Sequence, residues 1–582
     1  MCHDPELRSG HHAFEQLGVS IGWVSSPNSY AGPLPVWNEG RTVCLIFAGE
    51  EFSACDRAAE LKLKGPACPR VDSSLLVHLY EEHGPEFVEH LNGWFAGLLV
   101  DLRDQKTLLF NDRYGLGRIY YHQSPDGFFF SSEAKSLLAV LPALRQIDQQ
   151  GLGEFFSFGC VLQNRTLFGG ISLLPPGSLW TFQRDGRMDR RRYFSPATWE
   201  QQEPLDAVTY GERLKEVFGR VAPRYLQGEE QVAMSLTGGL DSRMILAWAQ
   251  AAPGSLPCYT FAGPYRDCAD VRIARELAEI CHQPHTTIRV GNEFFQDFPT
   301  LAEKTVYLSD GAMDVSGAAE LYANRCAREI APIRLTGNYG SEILRSIVAF
   351  RPGRLDESLF DRDFIPQLRT AEATYERESQ GRRLSFIAFK QVPWHHYARL
   401  AVEQSQLTVR SPFLDNDLVG LAFRAPPELA TGTRHLLQII AEGNPALAWI
   451  GTDRAFRQRS IPIVSWLSHS FQEFTAKAEY AYDYGMPQWL AKVDHALRPL
   501  HLEKLFLGRH KFCHFRVWYR DSLAEFVRAV LLDPRALARP HLDGRRVEQM
   551  VTAHLRGQGN YTQEIHKLLT CELTYRLLIE RN

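Results

Sequence analysis

The segment Ser235–Arg243, SLTGGLDSR, constrains this chain more than any other stretch. It follows a short apolar run, QVAMSL, and opens a helical pattern, SRMILAWAQAA. A buried strand, two glycines and a helix start make a holder for an anion. Gly238 and Gly239 let the backbone approach oxygens closely. The helix beginning near Ser242 presents N–H groups and the positive end of its dipole. Thr237 and Ser242 add hydroxyl donors, and Ser235 and Leu240 frame the turn. Asp241 would repel phosphate by itself, so its sensible role is to hold a magnesium ion that phosphate also ligates. The other common phosphate loop, GxxxxGK[ST], is absent. That loop supports γ-phosphoryl transfer, whereas a GGxDS loop after a strand cradles pyrophosphate as a leaving group. The expected ligands are ATP and Mg2+. A plain Gly-Gly turn with a helix cap is the competing account; the repeated strand–helix pattern that follows tells against it.

That pattern continues with strand LPCYTFAG, helix DVRIARELAEICHQ, helix GAAELYANRCAREI and strand PIRLTG. A helix, ERLKEVFGRVAPRYL, precedes the loop. Strands alternating with helices predict a parallel sheet covered on both faces. Beyond about residue 345 the pattern is mostly helical. Residues 1–195 read differently, as short apolar runs broken by Asp, Gly and Asn, which predict antiparallel hairpins. Two helices are expected among them, at 73–91 and 131–138, and a closing hairpin at 169–194. SPATWEQQEPLD, 195–206, reads as a polar linker. The expected domains are 1–195 and 207–582.

A chain of 582 residues exceeds one ordinary domain. The balance of 64 basic and 68 acidic residues, 64 − 68 = −4, gives no electrostatic reason to expect nucleic acid or an anionic membrane. Eleven cysteines are scattered without a CxxC pair, which fits a reduced, cytoplasmic setting. The opening MCHDPELRSGHH lacks a secretory h-region, and no run of about 18 apolar residues predicts a membrane helix. RHKFCHFRVWYR, 509–520, mixes basic and aromatic residues, but reads best as a helix with one buried aromatic face. His11-His12 and His395-His396 lack spaced partners and read as packing or surface residues. Asp415 and Asp417 are expected to fix a loop, and 78–90 to form an amphipathic helix.

The chain resembles the glutamine-dependent asparagine synthetase family, and the likeness covers most of its length. HLNGWFAGLLVD, NDRYGLGRIYY and FSSEAKSLL look like that family's glutaminase framework. SLTGGLDS is similar to its pyrophosphate loop, and CYTFAG, with Phe261 and Gly263, to the strand along the adenine; Asp270 follows at a helix start. LTGNYGSE, from Leu335 through Gly337 to Glu342, occupies the place of its acidic catalytic loop, and VRSPFLDND resembles a late framework motif. The resemblance implies an α+β, Ntn-hydrolase-like αββα domain, then an α/β ATP-pyrophosphatase synthetase domain with helical C-terminal additions.

The departures are equally informative. Cys2 would become the N-terminal nucleophile after Met removal, but His3 and Asp4 follow it where the family has Gly-Ile. Ala48-Gly49 stands where the family has Asn-Gly, and losing one oxyanion donor costs about 100-fold or more in rate. Asp72 stays where the family holds the glutamine amine. The glutaminase site therefore reads as degenerate. In the acidic loop, Asn338 replaces a catalytic Glu, Ser341 replaces a second magnesium-binding Asp, Tyr339 is new and Glu342 is retained. The family's pyrophosphate lysine is not evident; Arg454, Arg457 and Arg459 are on offer instead, as phosphate clamps or as a solvated basic face.

The resemblance implies that a substrate carboxylate attacks the α-phosphorus of ATP and that a nitrogen nucleophile then attacks the acyl-adenylate. Asp241 would hold the metal, and Tyr339 and Glu342 would orient or deprotonate the nitrogen. Three readings stand: a ligase aminating a small-molecule, saccharide or peptide carboxylate with glutamine or ammonia; a cyclase whose nitrogen belongs to the substrate, as in β-lactam synthetases and lasso-peptide cyclases; and an ATP-binding pseudo-enzyme scaffold. Oligomeric state is open, a homodimer included.

Overall fold

The computed structural model describes residues 7–25, 32, 34–53, 73–353, 356–452, 474–497 and 501–580. Its first part is antiparallel. β1 (Arg8–Phe14) and β2 (Val19–Ser25) form a ribbon. β3 (Val36–Trp37), β4 (Val43–Glu51), β5 (Gly93–Asp101) and β6 (Lys106–Asn111) follow, then β7 (Tyr120–Ser124), β8 (Gly127–Ser131), β9 (Ser172–Leu173), β10 (Ser178–Gln183) and β11 (Met188–Arg192). One sheet runs β11-β10-β6-β5-β4-β3 and a second runs β8-β7-β9.

Side chains alternate across a strand, so β4 and β5 each supply two cores. Val43, Leu45, Phe47, Phe95 and Leu99 pack under helix Ser74–His83. Cys44, Leu98, Val100 and Trp180 face the second sheet through Tyr121 and Phe128. Helices Ala134–Val140 and Gln149–Phe158 cover that sheet's far side through Leu137, Leu138 and Phe155. The layers are thus helix, sheet, sheet, helix. The expected helix 73–91 is α-helical only to His83; Gly84-Pro85 turn it into a 3-10 segment to His90.

The second part is a parallel sheet of β12 (Val232–Ser235), β13 (Cys258–Ala262), β14 (His285–Arg289), β15 (Ile333–Thr336) and β16 (Thr408–Arg410). Its order is β14-β13-β12-β15-β16. β12 is central and wholly buried, hence its unbroken apolar run. From β12 the chain winds first toward β13 and β14, then returns to place β15 on the other side. The winding reverses between β12 and β15, and ligands of open α/β sheets bind beyond the strand ends at such a point.

Two expectations need correction. Residues 195–206 join the two parts, but the segment is packed and not wholly solvated. Ala197–Glu200 forms a helical turn, and Trp199 is buried against Phe194, Phe389 and Phe423. Arg382 donates to Glu200 O, and Leu205 N–H donates to Arg424 O at 2.9 Å. In the aromatic stretch 509–520, helix spans only Phe515–Arg520, and Phe515 through Tyr519 are all buried. Packing from several sides replaces the single buried face, and Arg516 is satisfied internally by Tyr482 O and Asp494.

Candidate active site

Ser235 pairs with Thr336 in register, so β12 and β15 end side by side and their loops start at one level. The loops touch. A Cβ on Gly337 would lie 2.6 Å from Ser242 N, and one on Gly340 would lie 2.6 Å from Asp241 Cγ. Only glycine allows this approach. Asp241, in the first turn of helix Leu240–Trp248, accepts hydrogen bonds from Ser341 N at 2.9 Å and Ser341 Oγ at 2.7 Å. Arg345 Nη1 donates to the same hydroxyl at 3.4 Å.

The glycine loop is held by its own groups. Ser242 Oγ accepts from Thr237 N and lies 3.1 Å from Thr237 Oγ1. Gly239 N donates to Thr237 Oγ1, and Gly238 N donates to Asp270 Oδ1 at 2.8 Å. The amides of Gly238 and Gly239 are thus engaged inside the protein, which narrows the expected anion donors to the first turn of the helix. Arg243, fully buried, binds Gly238 O, Leu447 O, Ile450 O and Gly451 O. A lone arginine followed by the apolar run MILAW was the sequence signal for such a clamp.

Tyr339 caps helix Gly340–Arg345 in the left-handed region, φ 72°, a conformation costing a non-glycine residue about 1 kcal/mol or more. Its ring is buried edge-on between Trp94, 5.9 Å away on β5, and His396, 5.7 Å away. Burial pushes its hydroxyl pKa far up. It keeps its proton at neutral pH, so the geometry gives it a wedge's role and not a base's.

Glu342 is the titratable group of the loop. Burial, and secondarily the charge of Asp241, pushes its carboxyl up to about 7. His396 Nε2 lies 3.8 Å from Glu342 Oε1 and 3.1 Å from Gln391 Nε2. Burial, His395 and Arg399 drive His396 down to about 3, so it is neutral. His395 stacks on Phe350 at 5.0 Å, as a packing residue should. His396 also packs, edge-on against Tyr339 and His395, and the helix turn through Pro393 sets it beside the acidic loop.

The remaining expected ligand residues divide. Ser235 is buried and accepts from Arg334 Nη2 at 3.2 Å, so it belongs to the sheet interior. Phe261 is half-buried, with the Arg334 guanidinium 5.3 Å from its ring and Phe512 beyond it. Gly263 faces Phe512 O, which would lie 2.3 Å from a Cβ there. A segment of the C-terminal additions therefore covers the end of this strand. Cys2, Asp72, Arg454, Arg457 and Arg459 lie outside the described residues.

Mg2+ commonly takes one or two protein carboxylates together with substrate phosphates. No cluster of three or more metal-ligating side chains occurs among the described residues. Asp241 beside a helix start fits one such shared ion. Ser341, already donating to Asp241, does not supply a second carboxylate.

Residues 27–194 match the family model of a glutamine amidotransferase domain, and residues 213–444 match that of asparagine synthase. Similar proteins include asparagine synthetase 3 of Bacillus subtilis, 30% identical over 40% of this chain and 39% of that protein. Asparagine synthetase 1 of the same organism is 23% identical over 80% of this chain and 83% of its own length. Asparagine synthetase 2 of Oryza sativa is 26% identical over 50% and 46%.

The two matched regions and these relatives together support a member of the asparagine synthetase family. Two of those three similarities span less than half of the relative, so family membership carries the domain order and fold directly. The two matched regions fall on the layered first part and the parallel-sheet second part described above. The C-terminal helices from about residue 445 onward extend beyond both matched regions.

Proposed function

We propose that this chain is an ATP-dependent, AMP-forming amide-bond synthetase acting on a carboxylate other than aspartate. The observation that carries the reading is the contact of the two loops at the switch point: Asp241 bonded to Ser341, with Glu342 next in the chain. The substrate carboxylate attacks the α-phosphorus, a P–O bond forms and pyrophosphate leaves toward the first turn of helix Leu240–Trp248. A nitrogen nucleophile then attacks the acyl carbon, AMP departs, and the proton passes to Glu342, whose carboxyl near 7 suits a base at neutral pH. Asp241 would hold Mg2+ with the phosphates, and the ion would supply charge neutralisation there. Tyr339 shapes the wall beside the acyl group. The substitutions Asn338 and Ser341 in the acidic loop support a substrate other than aspartate.

A second reading concerns the nitrogen. Ala48 lies on β4 opposite Ala96 and offers only a methyl group, which supports a nitrogen supplied as ammonia or by the substrate itself rather than by glutamine. No described helix is long and apolar enough to cross a membrane, and eight described cysteines are free thiols; both support the cytoplasmic reading. Hydroxylamine trapping tests the function. With ATP, Mg2+ and a panel of carboxylic acids, hydroxamate and AMP should form together. Production of ADP and phosphate, or of neither, would overturn the reading. Glutamate release from glutamine, lost in Cys2→Ala, would overturn the degenerate glutaminase.

A further inference from the structure

Gln391 and His396 stand five residues apart on the helical turns Ile387–His396, which are wound as a π-helix and contain Pro393. Proline cannot donate an α-helical N–H, and the wider i→i+5 turn brings residues five apart onto one face. In an α-helix the same two positions would point roughly 140° apart. Arg118, from the first part of the chain, donates to Pro393 O, and its guanidinium lies 3.5 Å from the Tyr397 ring. Both contacts hold the turn in place.

Gln391 is fully buried, and its contacts fix which way its amide points. One terminal atom accepts from Ala349 N at 3.0 Å and from Phe350 N at 3.1 Å. Only the carbonyl oxygen accepts N–H groups, so the other terminal atom is the NH2. That NH2 lies 3.1 Å from His396 Nε2. An amide NH2 only donates, so Nε2 must offer its lone pair, and the single proton of a neutral ring must sit on Nδ1. The ring is neutral: burial first, then His395 and Arg399, drive it down to about 3. Nε2 also lies 3.8 Å from Glu342 Oε1, near enough for an ion pair had the ring been charged. Carrying a lone pair there, it gives that carboxyl no donor.

We propose that Gln391 is a positioning residue: it locks His396 in the Nδ1–H form, so that no ring N–H ties up Glu342 and its carboxyl stays open to the proton of the attacking nitrogen. This rests on the reading of Glu342 as the base. Without the amide, an N–H at Nε2 would have Glu342 Oε1 within reach. Ala349 and Phe350 follow the acidic loop's own helix, Gly340–Arg345. The segment that presents Glu342 therefore also orients the amide that guards it.

Proton–nitrogen correlation spectra of the full chain, deuterated and carrying isotope-labelled histidine, test the lock at neutral pH, with His396→Phe assigning the signals. In the parent, His396 Nδ1 should be protonated and Nε2 bare. Gln391→Glu keeps an acceptor for the two backbone amides but turns the donor into an acceptor, and should protonate Nε2. Gln391→Met removes the donor and should also move the proton to Nε2. The second readout is hydroxamate formation divided by carboxylate-dependent pyrophosphate exchange, a ratio that the folded fraction leaves unchanged. Gln391→Glu should lower it about tenfold or more. Introduced into His396→Phe, the same substitution should lower it less than about twofold, since the ring that transmits the change is gone. A parent ring protonated on Nε2 overturns the proposal. So does an equal fall of the ratio with and without the His396 ring, which is what a merely structural role gives. The expected Nδ1–H ring with no hydroxamate from any acid would leave the lock standing and sink the reading of Glu342 as a base.

Discussion

Asp241 and Ser341 divide one role between two loops. The serine hydroxyl and amide hold a carboxylate at the first turn of helix Leu240–Trp248, where the proposed function needs it to meet phosphate charge. Asp241→Asn keeps the shape and removes the charge, and should lower AMP formation at least about 100-fold with little loss of stability; an active Asn variant would exclude a metal role. Glu342 yields a stability prediction. Its folded pKa, about 7, exceeds the usual 4.5, so the fold favours the protonated form. The folded state is relieved of the buried charge below pH 5 and carries it above pH 7. Between those limits Glu342 should cost on the order of 3 kcal/mol as pH rises. Glu342→Gln should flatten the urea midpoint between pH 5 and 8, stabilising mainly at pH 8. An unchanged slope would refute the shift. The placement of Asp241 and Glu342 on glycine loops between a strand and a helix was legible because that pattern is local. His396 was not, since its relevance comes from lying 3.8 Å from a residue 54 positions away (396 − 342 = 54). Asp270 was placed at a helix start, but its bond to Gly238 N was not visible in the string.

At the scale of elements, the site depends on β12 and β15 ending together. Gly340 is one of two equally tight points: a methyl there would sit 2.6 Å from Asp241 Cγ, as one on Gly337 would from Ser242 N. Gly340→Ala should displace Asp241, reduce AMP formation more than about tenfold and cost about 1–3 kcal/mol in denaturant titration; a variant with parent activity would mean that the loops have slack. The alternation of strand and helix from 232 onward could be read directly. β14 could not. It reads HTTIR, its only buried side chain is Ile288, and an edge strand needs no apolar run. The buried turn at 197–200 was missed for a related reason. One tryptophan, Trp199, supplies its packing, and the polar residues around it disguise that.

At the scale of the molecule, the two parts are bonded across a buried polar seam. Asp415 caps helix Asn416–Ala422 and accepts from Arg224 at 2.9 Å and Asn92 at 2.8 Å; Glu50 pairs with Arg410. Trp94 reaches across to Tyr339. The expected loop-fixing role of Asp415 is thus real, but it fixes a domain contact as well. Removing one partner of a buried pair leaves the other uncompensated, so Asp415→Ala should lose about 3–5 kcal/mol. Urea unfolding followed by tryptophan fluorescence would show it, and a loss under 1 kcal/mol would argue against the seam. The order of the two parts was legible, since each has its own periodicity. Their contact surface was not, because its partners are far apart in the chain, Asn92 and Asp415 by 323 residues.

In the proposed function, Asp241 and the switch-point loops drive release of pyrophosphate from ATP by a carboxylate. Carboxylate-dependent exchange of labelled pyrophosphate into ATP measures that step alone. Exchange should occur with at least one acid of a broad mono- and dicarboxylate panel and be lost in Asp241→Asn. ATP binding with no exchange across the whole panel would contradict it and leave a nucleotide-binding scaffold.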